Sequence, residues 1–83
     1  MKEDRQIEWR KDTIKHDFGR KTNCYEGFVK EIHLFDVIEE YYDDLDLYLR
    51  INGNFSFVKS FSSLKSAKRG AERFLKRLQE AVK

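Results

Sequence analysis

The chain has 83 residues, of which 40% are hydrophobic and 14% aromatic, which is enough for one small domain, 1–83, with a thin core. A lone cysteine and a formal net charge of +2 exclude a disulfide-stapled scaffold and a strongly charged disordered chain. The sequence has no apolar run near the roughly 18 residues of a membrane span and no leader pattern, so we expect a cytoplasmic protein without a membrane anchor.

The first half of the chain predicts three strands. Ile7 and Trp9 alternate with charged residues, which predicts a strand at 7–10 and burial of Trp9. Residues 11–22 are polar and are expected to form a loop that ends in a basic turn at 19–22. Residues 23–29 and 32–39 are rich in β-branched and aromatic side chains and predict two strands joined by a tight turn at 30–31.

The second half predicts a hairpin and a helix. Asn52-Gly53 stands between the alternating runs 45–51 and 54–60, and this dipeptide is the strongest local hairpin signal because both residues tolerate positive φ. Residues 40–44 are expected to form an acidic turn. Apolar residues recur every three or four positions over 64–82, with Ser63 as the N-cap and Gly70 as a site of close packing on the sheet. The sequence therefore predicts an α+β fold in which four or five antiparallel strands carry one C-terminal amphipathic helix on one face.

The charges are divided along the chain. Residues 31–46 carry seven acidic groups and no Lys or Arg, and we expect them to form one exposed acidic run. Residues 47–83 carry nine basic and two acidic groups. Carboxylates with tyrosines among them suit a partner's basic surface, because charges steer association and tyrosines anchor interfaces. The candidate partner-binding residues, expected in one exposed run, are Glu39, Glu40, Tyr41, Tyr42, Asp43, Asp44 and Asp46. The alternative interpretation is an acidic turn that protects a sheet edge.

The polar face of the predicted helix is basic. Clustered cations on one helix face are typical of a phosphate-binding surface, although a solvated helix surface also accounts for them. The candidate nucleic-acid-binding residues are Lys65, Lys68, Arg69, Arg73, Lys76 and Arg77.

No catalytic or metal pattern is present in the sequence. Cys24, His16 and His33 are the soft ligand types, and they lack the paired spacing of a zinc site. We therefore expect no cofactor, no metal and no enzymatic activity. Cys24 is expected to be a strand residue packed against the core, and His33 an exposed strand residue.

Core and capping residues follow a spaced order, namely Ile7-x-Trp9, Tyr25-x-Gly27-x-Val29, Leu34-Phe35-x-Val37, Tyr48-Leu49-Arg50 and Phe61-x-Ser63-Leu64-x-x-Ala67-Lys68-x-x-Ala71-Glu72. This order resembles that of small phage- and prophage-encoded proteins in which one C-terminal helix closes an antiparallel sheet. Some phage proteins of this size inhibit host defence, and anti-CRISPR proteins are among them. The last hairpin and helix also resemble the arm-binding domain of phage integrases, in which a three-stranded sheet reads DNA. The matching strands here carry only Arg50 and Lys59 as basic residues.

Together, these features predict a small non-enzymatic binding protein, phage-encoded as the resemblance implies. It would dock through a charged surface on a host protein or nucleoprotein complex and inhibit it, as a nucleic-acid mimic does. The alternative is a nucleic-acid-binding module that uses the basic helix face. A homodimer held by opposite charge blocks is a third expectation.

Overall fold

The structure is a computed structural model that describes residues 6–15, 17–19, 21–39 and 44–81. Within these ranges five strands form one antiparallel sheet in chain order, and one helix lies across one face of it, which confirms the predicted α+β fold. The elements are β1 (Glu8–Lys15), β2 (Lys21–Val29), β3 (Ile32–Glu39), β4 (Leu45–Ile51), β5 (Asn54–Phe61) and α1 (Leu64–Ala81).

Two tight turns fix the register of the sheet. Lys30 and Glu31 connect β2 to β3 with φ values of 50° and 70°, and Asn52 and Gly53 connect β4 to β5 with φ values of 53° and 80°. Consecutive left-handed residues are the mark of the two-residue hairpin turn whose twist matches that of the strands. Both predicted turns are thus confirmed.

The first strand is longer than the sequence indicates. β1 continues to Lys15 and pairs with β2 as far as Lys21, so the predicted loop at 11–22 is wrong over most of its length. From Lys11 to Lys15 every residue is exposed, because β1 is an edge strand and little covers it here. An edge strand without burial on either face has no apolar alternation that a sequence could show. The predicted turn at 19–22 is also wrong in part, because Lys21 and Thr22 belong to β2.

The core lies between the sheet and α1. Phe35, Val37 and Leu47 are fully buried on this face of β3 and β4. Helix residues from successive turns close the core from above, and partly buried side chains that include Trp9 pack around it. The other buried members of the cluster are Ile7, Leu45, Leu49, Ala67, Ala71 and Leu75.

The helix begins and packs as predicted. The backbone N–H of Ser66 donates to Ser63 Oγ at 3.1 Å, which satisfies one free donor of the first turn. Gly70 faces the sheet so closely that an added Cβ would lie 2.3 Å from Cζ of Phe61. The absence of a side chain at Gly70 therefore sets the distance between helix and sheet. No helix in the described part of the chain is both long enough and apolar enough to cross a membrane.

Candidate functional site

The side of the sheet opposite α1, here called the open face, is covered by no helix or strand among the described residues. Cross-strand neighbours share a face of a sheet, so the strand register assigns its members. One row across the strands is Arg10, Glu26, Asp36, Tyr48 and Phe57, and the next is Asp12, Cys24, Ile38, Asp46 and Ser60. At the hairpin-turn end lie Glu8, Phe28, His33, Arg50 and Phe55.

Strand alternation sorts the charges onto opposite sides of the sheet. Among the described residues the open face has two guanidinium groups, Arg10 and Arg50, against five carboxylates: Glu8, Asp12, Glu26, Asp36 and Asp46. The strand lysines all have the opposite parity and lie on the helix side: Lys11, Lys15, Lys21 and Lys59. The open face is therefore net negative and the helix side net positive.

Asp36 is the centre of a polar cluster on the open face. Only 4% of Asp36 is exposed, which corrects the expectation that the acidic run is exposed throughout. Nε2 of His33 lies 2.7 Å from Asp36 Oδ1, and Nη1 of Arg50 lies 3.1 Å from His33 Nδ1. Arginine has only donors, so Nδ1 of His33 accepts, and the ring proton is on Nε2, which donates to Asp36.

The position of His33 also differs from the prediction. Its side chain is only 20% exposed because its ring stacks on Phe28 at a centroid distance of 4.9 Å. A bulge between Gly27 and Phe28 shifts the β2–β3 register and brings His33 onto the open face. The sequence could not reveal this, because a bulge reverses the parity that alternation would assign.

Asp36 also has neighbours in β2. Ligand-type atoms of Cys24, Glu26 and Asp36 all lie within 4.8 Å of one another. Oδ2 of Asp36 is buried without a hydrogen-bond partner, and Nη1 of Arg50 is 3.9 Å from it. Burial raises the pKa of the Cys24 thiol to about 11, and the charges of Asp36, Glu26 and Asp12 add to the rise. Cys24 is buried in a strand as predicted, but it lies on the face away from the helix-covered core.

Aromatic side chains border the polar cluster at the β5 edge. Phe55 and Phe57 are 52% and 59% exposed, and both meet the Tyr48 ring edge to face. The Arg50 guanidinium carbon lies 4.8 Å from the centroid of the Phe55 ring. Exposed aromatics beside fixed charges are typical of protein interfaces, where they supply apolar area at low entropic cost.

The predicted partner-binding residues are only partly placed by the structure. Glu40, Tyr41, Tyr42 and Asp43 lie outside the described residues. Glu39 is half-buried, lies on the helix side, and accepts a hydrogen bond from Asn23 Nδ2 at 2.9 Å. Asp44 is exposed just before β4, and Asp46 lies on the open face, where it accepts from the Ser60 hydroxyl. Among the described candidates, Asp46 is the residue that the strand register places on the open face.

The predicted basic residues lie together on α1. Lys65, Arg69, Arg73, Lys76 and Arg77 are exposed on successive turns, and Lys68 is half-buried. Within the described part of the chain none of the six forms an ion pair with a carboxylate. The ammonium of Lys68 lies over two rings, 5.8 Å from the centroid of Trp9 and 6.0 Å from that of Tyr25.

A groove beside the helix gathers part of this charge. It is lined by Arg69, Arg73 and Lys76 together with Gln6 and Gln79, and Gln79 Nε2 donates to Gln6 Oε1 at 2.8 Å. The carboxylates of Glu72 and Glu80 share its rim. The positive field along the helix is therefore interrupted rather than continuous.

Sequence reasoning missed the carboxylates of β1 and β2 as members of a site. Asp12 and Glu26 belong to a part of the chain whose charges nearly cancel when they are counted along the sequence. The signal that could have found them is parity, because residues two apart in a strand share a face.

Comparison with protein-family models, curated proteins and solved structures gives no match to this chain.

Proposed function

We propose that this protein is a non-enzymatic binding module that docks its open face on a basic surface of a partner protein. The partner we infer is a host protein or nucleoprotein complex whose cationic groove holds nucleic acid, and docking would block that groove. The observation that carries the proposal is the sorting of strand charges, which leaves an uncovered face with five carboxylates and two guanidinium groups among the described residues.

Charge complementarity and aromatic anchors support this partner chemistry. Asp12 and Glu26 have no ion-pair partner among the described residues, so their charge is available to lysines and arginines outside the molecule. Phe55 and Phe57 lie at one border of the face and would be buried on docking.

The chemistry of the polar cluster supports a binding role rather than catalysis. The raised pKa of Cys24, about 11, keeps the thiol protonated at neutral pH, and a thiol is a poor nucleophile. Both ring nitrogens of His33 are engaged, one by Asp36 and one by Arg50. The cluster therefore offers neither an activated thiol nor a free imidazole.

A pair of charge-reversal variants tests the proposal. One variant carries Asp12→Lys, Glu26→Lys and Asp46→Lys on the open face, and the matched control carries Arg73→Glu, Lys76→Glu and Arg77→Glu on the helix. Binding of a labelled arginine-rich peptide is measured by fluorescence anisotropy at low salt. We expect the open-face variant to lose at least tenfold in affinity and the helix variant to lose little. Equal losses in two folded variants would contradict the proposal.

A second function is favoured by the helix, whose six cations have no carboxylate partner in the described part of the chain. We propose that this surface binds the phosphates of nucleic acid, with Arg69, Arg73 and Lys76 along the groove. The same two variants test it with a labelled DNA duplex. The helix variant should lose affinity, and the salt dependence of wild-type binding should have a log–log slope of about −0.9 per phosphate contacted. No binding to duplex at low salt would exclude this function.

Self-association would follow from the same two surfaces. The helix side of one copy is a basic surface that the open face of another copy could meet, and such a contact is head to tail. Light scattering should then show a mass that falls as ionic strength rises. A mass that is constant from low to high salt would leave an external partner as the only ligand of these faces.

A further inference from the structure

The centre of the open face carries a second feature, a cluster of one thiol and two carboxylates. Cys24 and Glu26 are two residues apart in β2, and Asp36 is the cross-strand partner of Glu26 in β3. The strand pairing thus brings one sulfur and two carboxylates together, although the sequence spacing predicted no metal site. Their potential ligand atoms lie within 4.8 Å of one another.

We propose that Cys24, Glu26 and Asp36 form a binding site for a divalent transition-metal ion of the zinc type. A thiolate with two carboxylates is a ligand set that Zn²⁺ accepts, with water as the fourth ligand. The site does not require the proposed docking partner, although Glu26 belongs both to the site and to the docking surface.

The buried carboxylate of Asp36 is the second observation behind the site. Asp36 is 4% exposed, and its Oδ2 has no hydrogen-bond partner, which is a costly state for a buried acceptor. Its other oxygen is held by Nε2–H of His33 at 2.7 Å. A carboxylate with one oxygen fixed by a hydrogen bond and the other unsatisfied has the arrangement of a metal ligand supported from outside the coordination sphere.

The geometry requires only small movements. Ligand atoms of a tetrahedral zinc site are roughly 3.3–3.8 Å apart, given Zn–S of about 2.3 Å and Zn–O of about 2.0–2.2 Å. The separations between the three ligand atoms, which reach up to 4.8 Å here, must therefore shorten by about 1 Å. Glu26 is half-buried with three side-chain torsions, so it can move toward the other two.

The local electrostatics favour a cation. The carboxylates of Asp36, Glu26 and Asp12 lie on the open face beside Cys24, so a divalent ion at the site would offset their charge and displace the thiol proton. The opposing feature is Arg50, whose Nη1 lies 3.9 Å from Asp36 Oδ2 and supplies part of the countercharge already. The guanidinium does not complete a hydrogen bond to that oxygen, so a cation in closer contact would still gain.

Cobalt titration of the full chain tests the site, with Co²⁺ as a spectroscopic substitute for Zn²⁺. The wild-type protein should develop a thiolate-to-cobalt charge-transfer band together with the intense d–d bands of tetrahedral cobalt, and Zn²⁺ should displace both. Because one proton leaves Cys24, the apparent affinity should rise about tenfold per pH unit between about pH 6 and 8.

Variants assign the ligands. Cys24→Ser should abolish the charge-transfer band, and Asp36→Asn should weaken binding at least tenfold. Glu26→Gln provides the same test at a less buried position if Asp36→Asn does not fold. Glu72→Gln on α1 removes a carboxylate outside the site and should leave the titration unchanged. The absence of a charge-transfer band at millimolar Co²⁺, or an unchanged cobalt affinity in Cys24→Ser, would overturn the proposal.

Discussion

The two faces of the sheet are made by alternate residues of the same five strands, and they differ in almost every physical property. On the helix-covered face, Phe35, Val37 and Leu47 are fully buried and pack with the alanines of α1. On the open face, carboxylates and arginines form a polar network, and Phe55 and Phe57 remain more than half exposed. One set of alternate strand residues therefore forms the core, while the other set is covered by no helix or strand in the described part of the chain.

The largest expected effect comes from one substitution made on each face. Phe35→Ala should lower the free energy of unfolding by about 3–5 kcal/mol, because it leaves a cavity at a fully buried ring. Phe57→Ala removes the same atoms from a ring that is 59% exposed and should change stability by less than about 1 kcal/mol. Urea denaturation measures both.

Substitutions on the two faces should also differ in their effect on binding. Phe57→Ala should weaken binding of the arginine-rich peptide. A mild core variant, Val37→Ala, should leave the affinity of the folded protein unchanged. If Phe57→Ala destabilised the protein as strongly as Phe35→Ala, the open face would be part of the core, and the contrast between the faces would fail.

A smaller effect is expected at the helix–sheet contact. In Gly70→Ala the new methyl would overlap the Phe61 ring, a cost of about 1–3 kcal/mol, against a gain of about 1 kcal/mol in helix propensity. We expect a net loss of about 1 kcal/mol, which a second change, Phe61→Leu, should reduce. Lys76→Ala at an exposed helix position is the control. A Gly70→Ala protein that is more stable than wild type would show that the helix can move away from the sheet freely.

A pH dependence of stability belongs to the open face and is confined to alkaline solution. The folded-state pKa of Cys24 is raised to about 11 from the ordinary 9.0, so the unfolded chain loses this proton first as pH rises. The contribution of the protonated Cys24 thiol to the free energy of unfolding is complete below about pH 9 and declines between about pH 9 and 11. The difference in stability between wild type and Cys24→Ala, measured by chemical denaturation, should therefore fall across this range.

Alkylation gives an independent measure of the same thiol. Iodoacetamide should react slowly with the folded protein at pH 8, and Asp36→Asn should speed the reaction because it removes a charge that raises the pKa of Cys24. Reaction at the rate of an unfolded cysteine would show that Cys24 is neither buried nor influenced by these carboxylates.

Elements with one buried face were predictable from the sequence. β3 and β4 have the predicted bounds, and the helix begins at Leu64 as predicted, because burial on one face imposes a period on the apolar residues. The outer half of β1 was missed for the opposite reason. Its residues are exposed, so selection for a core leaves no pattern there.

The candidate site was less predictable than the fold. The contacts between His33, Asp36 and Arg50 depend on the β2–β3 bulge and on pairing between distant strands, and neither has a local sequence signal. Charge counted along the chain indicated a division between an acidic middle and a basic end. In the structure the alternation of strand residues adds to that division. It places Asp12 and Glu26 on the acidic side, although Asp12 directly follows a lysine and Glu26 stands between uncharged residues in the sequence.

The separation of charge onto opposite faces is tested most directly by paramagnetic relaxation in solution. Backbone amide relaxation is measured by NMR with a cationic and then an anionic nitroxide of the same size, with a neutral one as the reference. The account predicts that the cationic probe enhances relaxation over the open face around Asp12, Glu26 and Asp46, and that the anionic probe does so along α1 from Lys65 to Arg77. Two probes that give the same pattern along the chain would contradict it.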